Sequence, residues 1–125
     1  MNQHLERLEG LHPDLVRVIN RLLTVCPEVT ILEGVRTLER QRKLLALKAT
    51  TTMKSRHLTG HAVDLAVTVD GEIRWDWPLY SALAPFVKAA AQGENVPIEW
   101  GGDWKKFKDG PHWQLPWKIY PKQGD

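Results

Sequence analysis

The stretch from Gly60 to Val69 constrains this chain more than any other. Ala62-Val63-Asp64-Leu65-Ala66-Val67-Thr68-Val69 alternates small or polar residues with branched apolar ones, the period of two expected of a strand with one buried face. Val63, Leu65, Val67 and Val69 then share the core side. Asp64 lies on the other side between Ala62 and Ala66, whose short side chains leave room above it. Gly60 disfavours a helix interior and suits a sharp bend. His57 and Asp64, seven positions apart, are therefore expected to reach one point from a bend and its following strand. His61 falls on the valine side, so His57 and His61 are not a helical ligand pair, and the glutamate of the helical zinc-peptidase motif His-Glu-x-x-His is missing.

A third ligand is supplied by His112 in Asp109-Gly110-Pro111-His112-Trp113. Two histidines and an aspartate with an open fourth position describe a catalytic zinc site, as opposed to a closed structural one. Asp109, three residues before His112, is an acid that can handle a proton, and Glu99 is its rival. Ser55 either orders the bend before His57 or hydrogen-bonds a substrate. Trp104 and Trp113 flank motif positions and are the candidates for groove walls, with core packing the default for all six tryptophans. His4 and His12 lie in a polar N-terminal segment and are expected in solvent.

The segment Ser55-x-His57-x-x-Gly60-x-Ala62-x-Asp64, followed by Asp109-x-x-His112, resembles the zinc D-alanyl-D-alanine peptidases, most closely their phage branch of L-alanyl-D-glutamate endopeptidases. Trp100-Gly101-Gly102-Asp103-Trp104 and Gly34-Val35-Arg36-Thr37 with Gln41 extend the likeness over about residues 30–117. Asp109 stands where the dipeptidase branch carries Glu. The resemblance implies a zinc ion on His57, Asp64 and His112, Asp109 as general base and then acid, and Arg36 beside the oxyanion of the tetrahedral intermediate. It implies a phage or prophage endolysin that cuts the L-alanyl-D-glutamate bond of peptidoglycan stem peptides. A D-alanyl-D-alanine carboxypeptidase is the enzymatic alternative, and a catalytically silent zinc module binding cell wall or a protein is the alternative from another class.

Composition fits one enzyme domain. The chain has 125 residues with 42% hydrophobic content, in the usual range for a single core, so one domain over 1–125 without a separate cell-wall-binding module is expected, as a monomer. An apolar signal core and a bilayer-spanning run are both lacking. The expected location is thus the host cytoplasm, with access to the wall provided by a separate membrane-permeabilising protein. Cys26 is the single cysteine, which excludes an intrachain disulfide and suits a small buried apolar group. The net charge is only +2, but Lys48, Lys54 and Arg56 flank one motif and Lys105, Lys106 and Lys108 precede the other. That basic cluster suits a carboxylate-rich stem peptide or is simply a solvated face. It is too sparse, and too mixed with Asp103 and Asp109, for nucleic acid.

Helical spacing of Leu15, Val18, Ile19, Leu22 and Leu23 after Pro13 predicts a helix that ends at Cys26-Pro27. A strand over Val29–Leu32, a helix from Thr37 to about Leu47, a polar loop at 48–54, an Asp70-Gly71 hairpin turn into Glu72–Trp75, a helix over Leu79–Ala91 and a short strand over Pro97–Trp100 follow. This order predicts an α+β fold: a small, mostly antiparallel sheet with packed helices and the metal at its open face.

Overall fold

The computed structural model describes residues 8–34, 42, 43, 46, 59–105 and 108–120. Helix α1, Pro13–Val25, starts at a proline whose fixed φ suits the first turn, and the His12 imidazole accepts the Asp14 N–H at 3.0 Å. His12 is thus a half-buried helix cap and not a solvated side chain, its ring 5.5 Å from that of His61 and 5.1 Å from that of Tyr120. Of the predicted stripe Leu15, Val18, Ile19 and Leu22 are buried and Leu23 packs half-buried at its edge, each fully buried leucine contributing about 1.5–3 kcal/mol. Cys26 ends the helix inside the core, where burial pushes its thiol pKa up.

Among the described residues five strands follow: β1 (Val29–Glu33), β2 (Ala62–Val69), β3 (Glu72–Arg74), β4 (Glu99–Trp100) and β5 (His112–Gln114), with helix α2 (Trp77–Gly93) between β3 and β4. All pairings are antiparallel. Val67 is paired with both Val29 and Arg74, and Asp64 with both Glu33 and His112. One edge of β2 therefore carries β1, while β5 and β3 share the other edge end to end, and β4 lies outside β5. The β2–β3 turn has Asp70 at φ 53° and Gly71 at φ 81°, the positive pair that matches strand twist in a two-residue hairpin.

Alternation along β2 assigns the two faces as expected, but the face of Asp64 is not open along the strand, since Ala62 and Ala66 are as buried as the valines. Val63, Leu65 and Val67 enter the core formed with α1 and with Tyr80, Leu83 and Val87 of α2. Val69 departs from it, at 38% exposure, because it ends the strand at the hairpin. The helices cover one face of the sheet and leave Asp64 on the other.

Three elements differ from expectation. Helix α2 exceeds Leu79–Ala91 by two residues at each end and accommodates Pro85, while the strand expected from Pro97 shrinks to Glu99–Trp100. Strand β5 has no counterpart among the predicted elements: its three residues, His112–Gln114, are too few to show a period. Arg42, Lys43 and Ala46 are helical; the rest of the 37–47 helix and the 48–54 loop lie outside the described residues.

The Tyr120 hydroxyl donates to Asp14 Oδ2 at 2.7 Å and ties the C-terminal turn to α1. Burial, and then this bond, push the Tyr120 pKa up to about 12, and the same bond holds Asp14 below the usual carboxylate value. A raised folded pKa means that the tyrosine's contribution is complete below its unfolded value of roughly 10 and is lost as pH climbs toward about 12. The lowered Asp14 contributes above its unfolded value and is lost in acid. Tyr120→Phe is expected to lose about 1 kcal/mol at neutral pH and to flatten the alkaline fall in stability, as read by urea denaturation across the pH range.

Candidate metal centre

Asp64 and His112 stand directly opposite each other on β2 and β5. Leu65 N–H donates to Pro111 O at 2.8 Å and Leu115 N–H to His61 O at 2.9 Å. In an antiparallel ladder hydrogen-bonded and non-hydrogen-bonded pairs alternate, so Asp64 and His112 form one of the narrow pairs, whose side chains approach most closely. Asp64 Oδ1 lies 3.4 Å from His112 Nδ1, with the two side chains only 18% and 8% exposed.

Asp109 reaches the same point from a turn. His112 N–H donates to Asp109 O at 3.2 Å, closing Asp109–His112, and Asp109 N–H donates to Gly101 O at 3.1 Å. Gly101 permits this approach, since a Cβ there would collide with the Asp109 carbonyl and crowd His112 Cβ. Trp100 fixes the other flank: its indole N–H donates to Gly110 O at 2.7 Å, and its ring is stacked between Trp77 at 5.7 Å and Trp113 at 5.6 Å. One ligand atom each from Asp64, Asp109 and His112 then falls within 4.8 Å of the others.

These donors fit a metal ion. Tetrahedral bonds of about 2.0–2.1 Å place neighbouring ligand atoms about 3.4 Å apart, and that is the Asp64–His112 separation of 3.4 Å. The field favours a cation too. Burial alone disfavours a charged imidazole, yet the Asp64 carboxylate, aided by Gln114 and Asp109, outweighs it and raises the His112 pKa.

The other sequence candidates divide. Trp104 is half-buried with its ring 5.0 Å from that of His112, next to the cluster. Trp113 is corrected: at 1% exposure, stacked on Trp100 within the core, it cannot wall a groove, because alternation along β5 turns it away from His112. His61 is remote from the cluster's side of the strand, bonded to Thr59 Oγ1 at 2.6 Å and packed near His12 and Tyr120. The bend before it is present, with Gly60 at φ 78° against the carbonyl of Gly10. Glu99 accepts from Gln114 Nε2 at 3.3 Å and is not among the clustered donors. Arg36, Ser55 and His57 lie outside the described residues. Gln114, which touches His112, carries no motif signal, although its place two residues along β5 puts it on the same face.

The family model described as phage L-alanyl-D-glutamate peptidase matches residues 1–114. The chain belongs to this family. Two phage proteins named L-alanyl-D-glutamate peptidase are similar to it. That of Listeria phage A118 is 38% identical over 93 residues, covering 74% of this chain and 32% of that protein. That of Escherichia phage T5 is 29% identical over 110 residues, covering 83% and 80%. The chain thus spans about a third of the Listeria phage protein's length. Among solved structures, the Serratia marcescens L-Ala D-Glu endopeptidase ChiX is 43% identical with a TM-score of 0.89, covering 95% of this chain and 90% of that one. A vancomycin-resistance D,D-dipeptidase, VanXYg, shares the fold at 19% identity and a TM-score of 0.55, over 84% of this chain and 50% of that one.

Ligand and neighbour are separable by substitution. His112→Ala and Asp64→Ala are expected to abolish stoichiometric metal binding, whereas His61→Ala keeps it, all measured by metal analysis after equilibrium dialysis. Loss of metal from His61→Ala with retention in His112→Ala would place the centre at the wrong end of β2.

Proposed function

We propose that the chain is a zinc-dependent peptidase that hydrolyses the L-alanyl-D-glutamate bond of peptidoglycan stem peptides in phage-induced lysis. Family membership supports the bond class. The observation that carries the metal reading is the 3.4 Å approach of Asp64 Oδ1 to His112 Nδ1, with the Asp109 carboxylate beside them. His57, from the sequence motif, completes the ligand set with Asp64 and His112. A bound zinc ion would supply an acidified water and a polarised scissile carbonyl.

The chain's own groups do the rest. Asp109 is partly exposed and so can meet solvent and substrate; its carboxylate takes the proton of the attacking water and returns it to the leaving amine. Gly101 and the Trp100–Gly110 bond hold that carboxylate in reach. Trp104 offers an apolar wall beside His112, and exposed Lys105 and Lys108 attract the carboxylates of the stem peptide. Arg36 is assigned to the developing oxyanion and Ser55 to the substrate or the bend, both by motif. Among the described residues no helix is long and apolar enough to cross a membrane, which suits an enzyme that reaches the wall by another protein's action.

Asp109→Asn keeps the shape and removes the base. Turnover of a stem peptide is expected to fall by roughly 10²-fold or more while zinc content is retained; loss of zinc would make Asp109 a ligand and end its assignment as base. Mass spectrometry of digested peptidoglycan is expected to show new N-terminal D-glutamate. Release of terminal D-alanine in its place would establish the carboxypeptidase.

A further inference from the structure

His112 uses both ring nitrogens. Nδ1 faces Asp64 Oδ1 at 3.4 Å, and Nε2 lies 2.8 Å from Gln114 Oε1 in a bond between two buried side chains. Gln114 Nε2 in turn donates to Glu99 Oε1 at 3.3 Å. The register explains the geometry. Glu99 is directly opposite Gln114 on β4, Gln114 is two residues beyond His112 on β5, and His112 is opposite Asp64 on β2. All four side chains therefore project from one face of the sheet. Ala62, the β2 partner of Gln114, has only a methyl group on that face.

A chain of donor and acceptor choices follows. An ionised carboxylate can only accept, so Glu99 takes the amide NH₂ of Gln114 and turns its carbonyl oxygen toward His112. That oxygen also can only accept, so His112 Nε2 must carry a proton. The nitrogen that can give up its proton to become a ligand is then Nδ1, the one aimed at Asp64 and Asp109. We propose that Gln114, oriented by Glu99, is a positioning residue that keeps the proton on His112 Nε2 and so commits Nδ1 to the metal. This rests on the metal-peptidase reading above, and it gives Glu99 a role other than that of a base. Partners on the non-ligating nitrogen of metal-bound histidines fix tautomer and ring orientation, and their loss typically lowers metal affinity about 10- to 100-fold.

The test compares wild type, Gln114→Leu, Glu99→Leu and the exchanged pair Gln114→Glu with Glu99→Gln, which again puts an acceptor against His112 and a cross-strand bond behind it. In the metal-free proteins, ¹⁵N–¹H spectra of the imidazoles are expected to show a protected His112 Nε2 proton in wild type and the exchanged pair, and its loss in Gln114→Leu. Zinc affinity, by competition with a chelator, is expected to fall about 10- to 100-fold in Gln114→Leu, less in Glu99→Leu, and to return in the exchanged pair. A role limited to packing would leave the Nε2 proton as protected in Gln114→Leu as in wild type. If Gln114→Leu is poorly folded, Glu99→Leu, altered at an exposed position, carries the comparison. Unchanged Nε2 protection and unchanged affinity in both single variants overturn the proposal. Wild type that binds no zinc refutes the metal reading instead, and the metal-free spectra still decide whether Gln114 holds the proton.

Discussion

The narrow cross-strand pair of Asp64 and His112 is what the rest of the site depends on. An antiparallel ladder brings some opposed side chains closer than others, and the bonds on either side, Leu65 to Pro111 and Leu115 to His61, put Asp64 and His112 in the close set. Two groups that would otherwise be costly to bury are thereby made mutually compatible. The carboxylate raises the imidazole pKa against the effect of burial, and the same field that holds a proton there attracts a metal cation. A shift of one residue in β5 would send His112 into the core and Trp113 to the face that carries Asp64, so whatever fixes that register also fixes the chemistry.

The register is held from the core side. Trp113 and Leu115 are buried, and Trp113 is stacked on Trp100, which is stacked on Trp77 of α2. Trp100 also grips the Gly110 carbonyl within the turn that leads into His112. Lys88 of α2 pairs with Asp103 at 2.9 Å and lies 5.7 Å from the Trp100 ring, which anchors the other end of the same loop. Helix α2 thus supports the β4–β5 connection through aromatic and ionic contacts, and Gly101 lets Asp109 come close enough to serve the cluster. Arg17 and Arg21 of α1 meet Glu94 at 3.4 and 2.8 Å at the C-cap of α2, which joins the two helices beneath the sheet.

Much of this was legible in residue order. Alternation along β2 placed Asp64 opposite the valines, Gly60 and Asp70-Gly71 marked their bends, and the stripe of α1 named its own core residues. Asp109 and His112, three residues apart, were readable as site residues, and the structure shows the spacing to be a turn. What the sequence withheld is pairing. Strand β5 is too short to announce itself, and without it the parity that hides Trp113, exposes Gln114 to His112 and sets Glu99 behind Gln114 has no reference. His12 was misread for a related reason: a histidine in a polar segment looks solvated until the Gly60 bend and Tyr120 pack beside it. The motif residues Arg36, Ser55 and His57 keep their sequence-based assignments as proposals.

The most direct test of the centre is anomalous X-ray diffraction at the zinc edge from crystals grown with zinc. One strong peak is expected about 2.0–2.2 Å from an Asp64 carboxylate oxygen and from His112 Nδ1. A peak on His112 Nε2, or one at the His12–His61 end of β2 with none beside Asp64, would contradict the account.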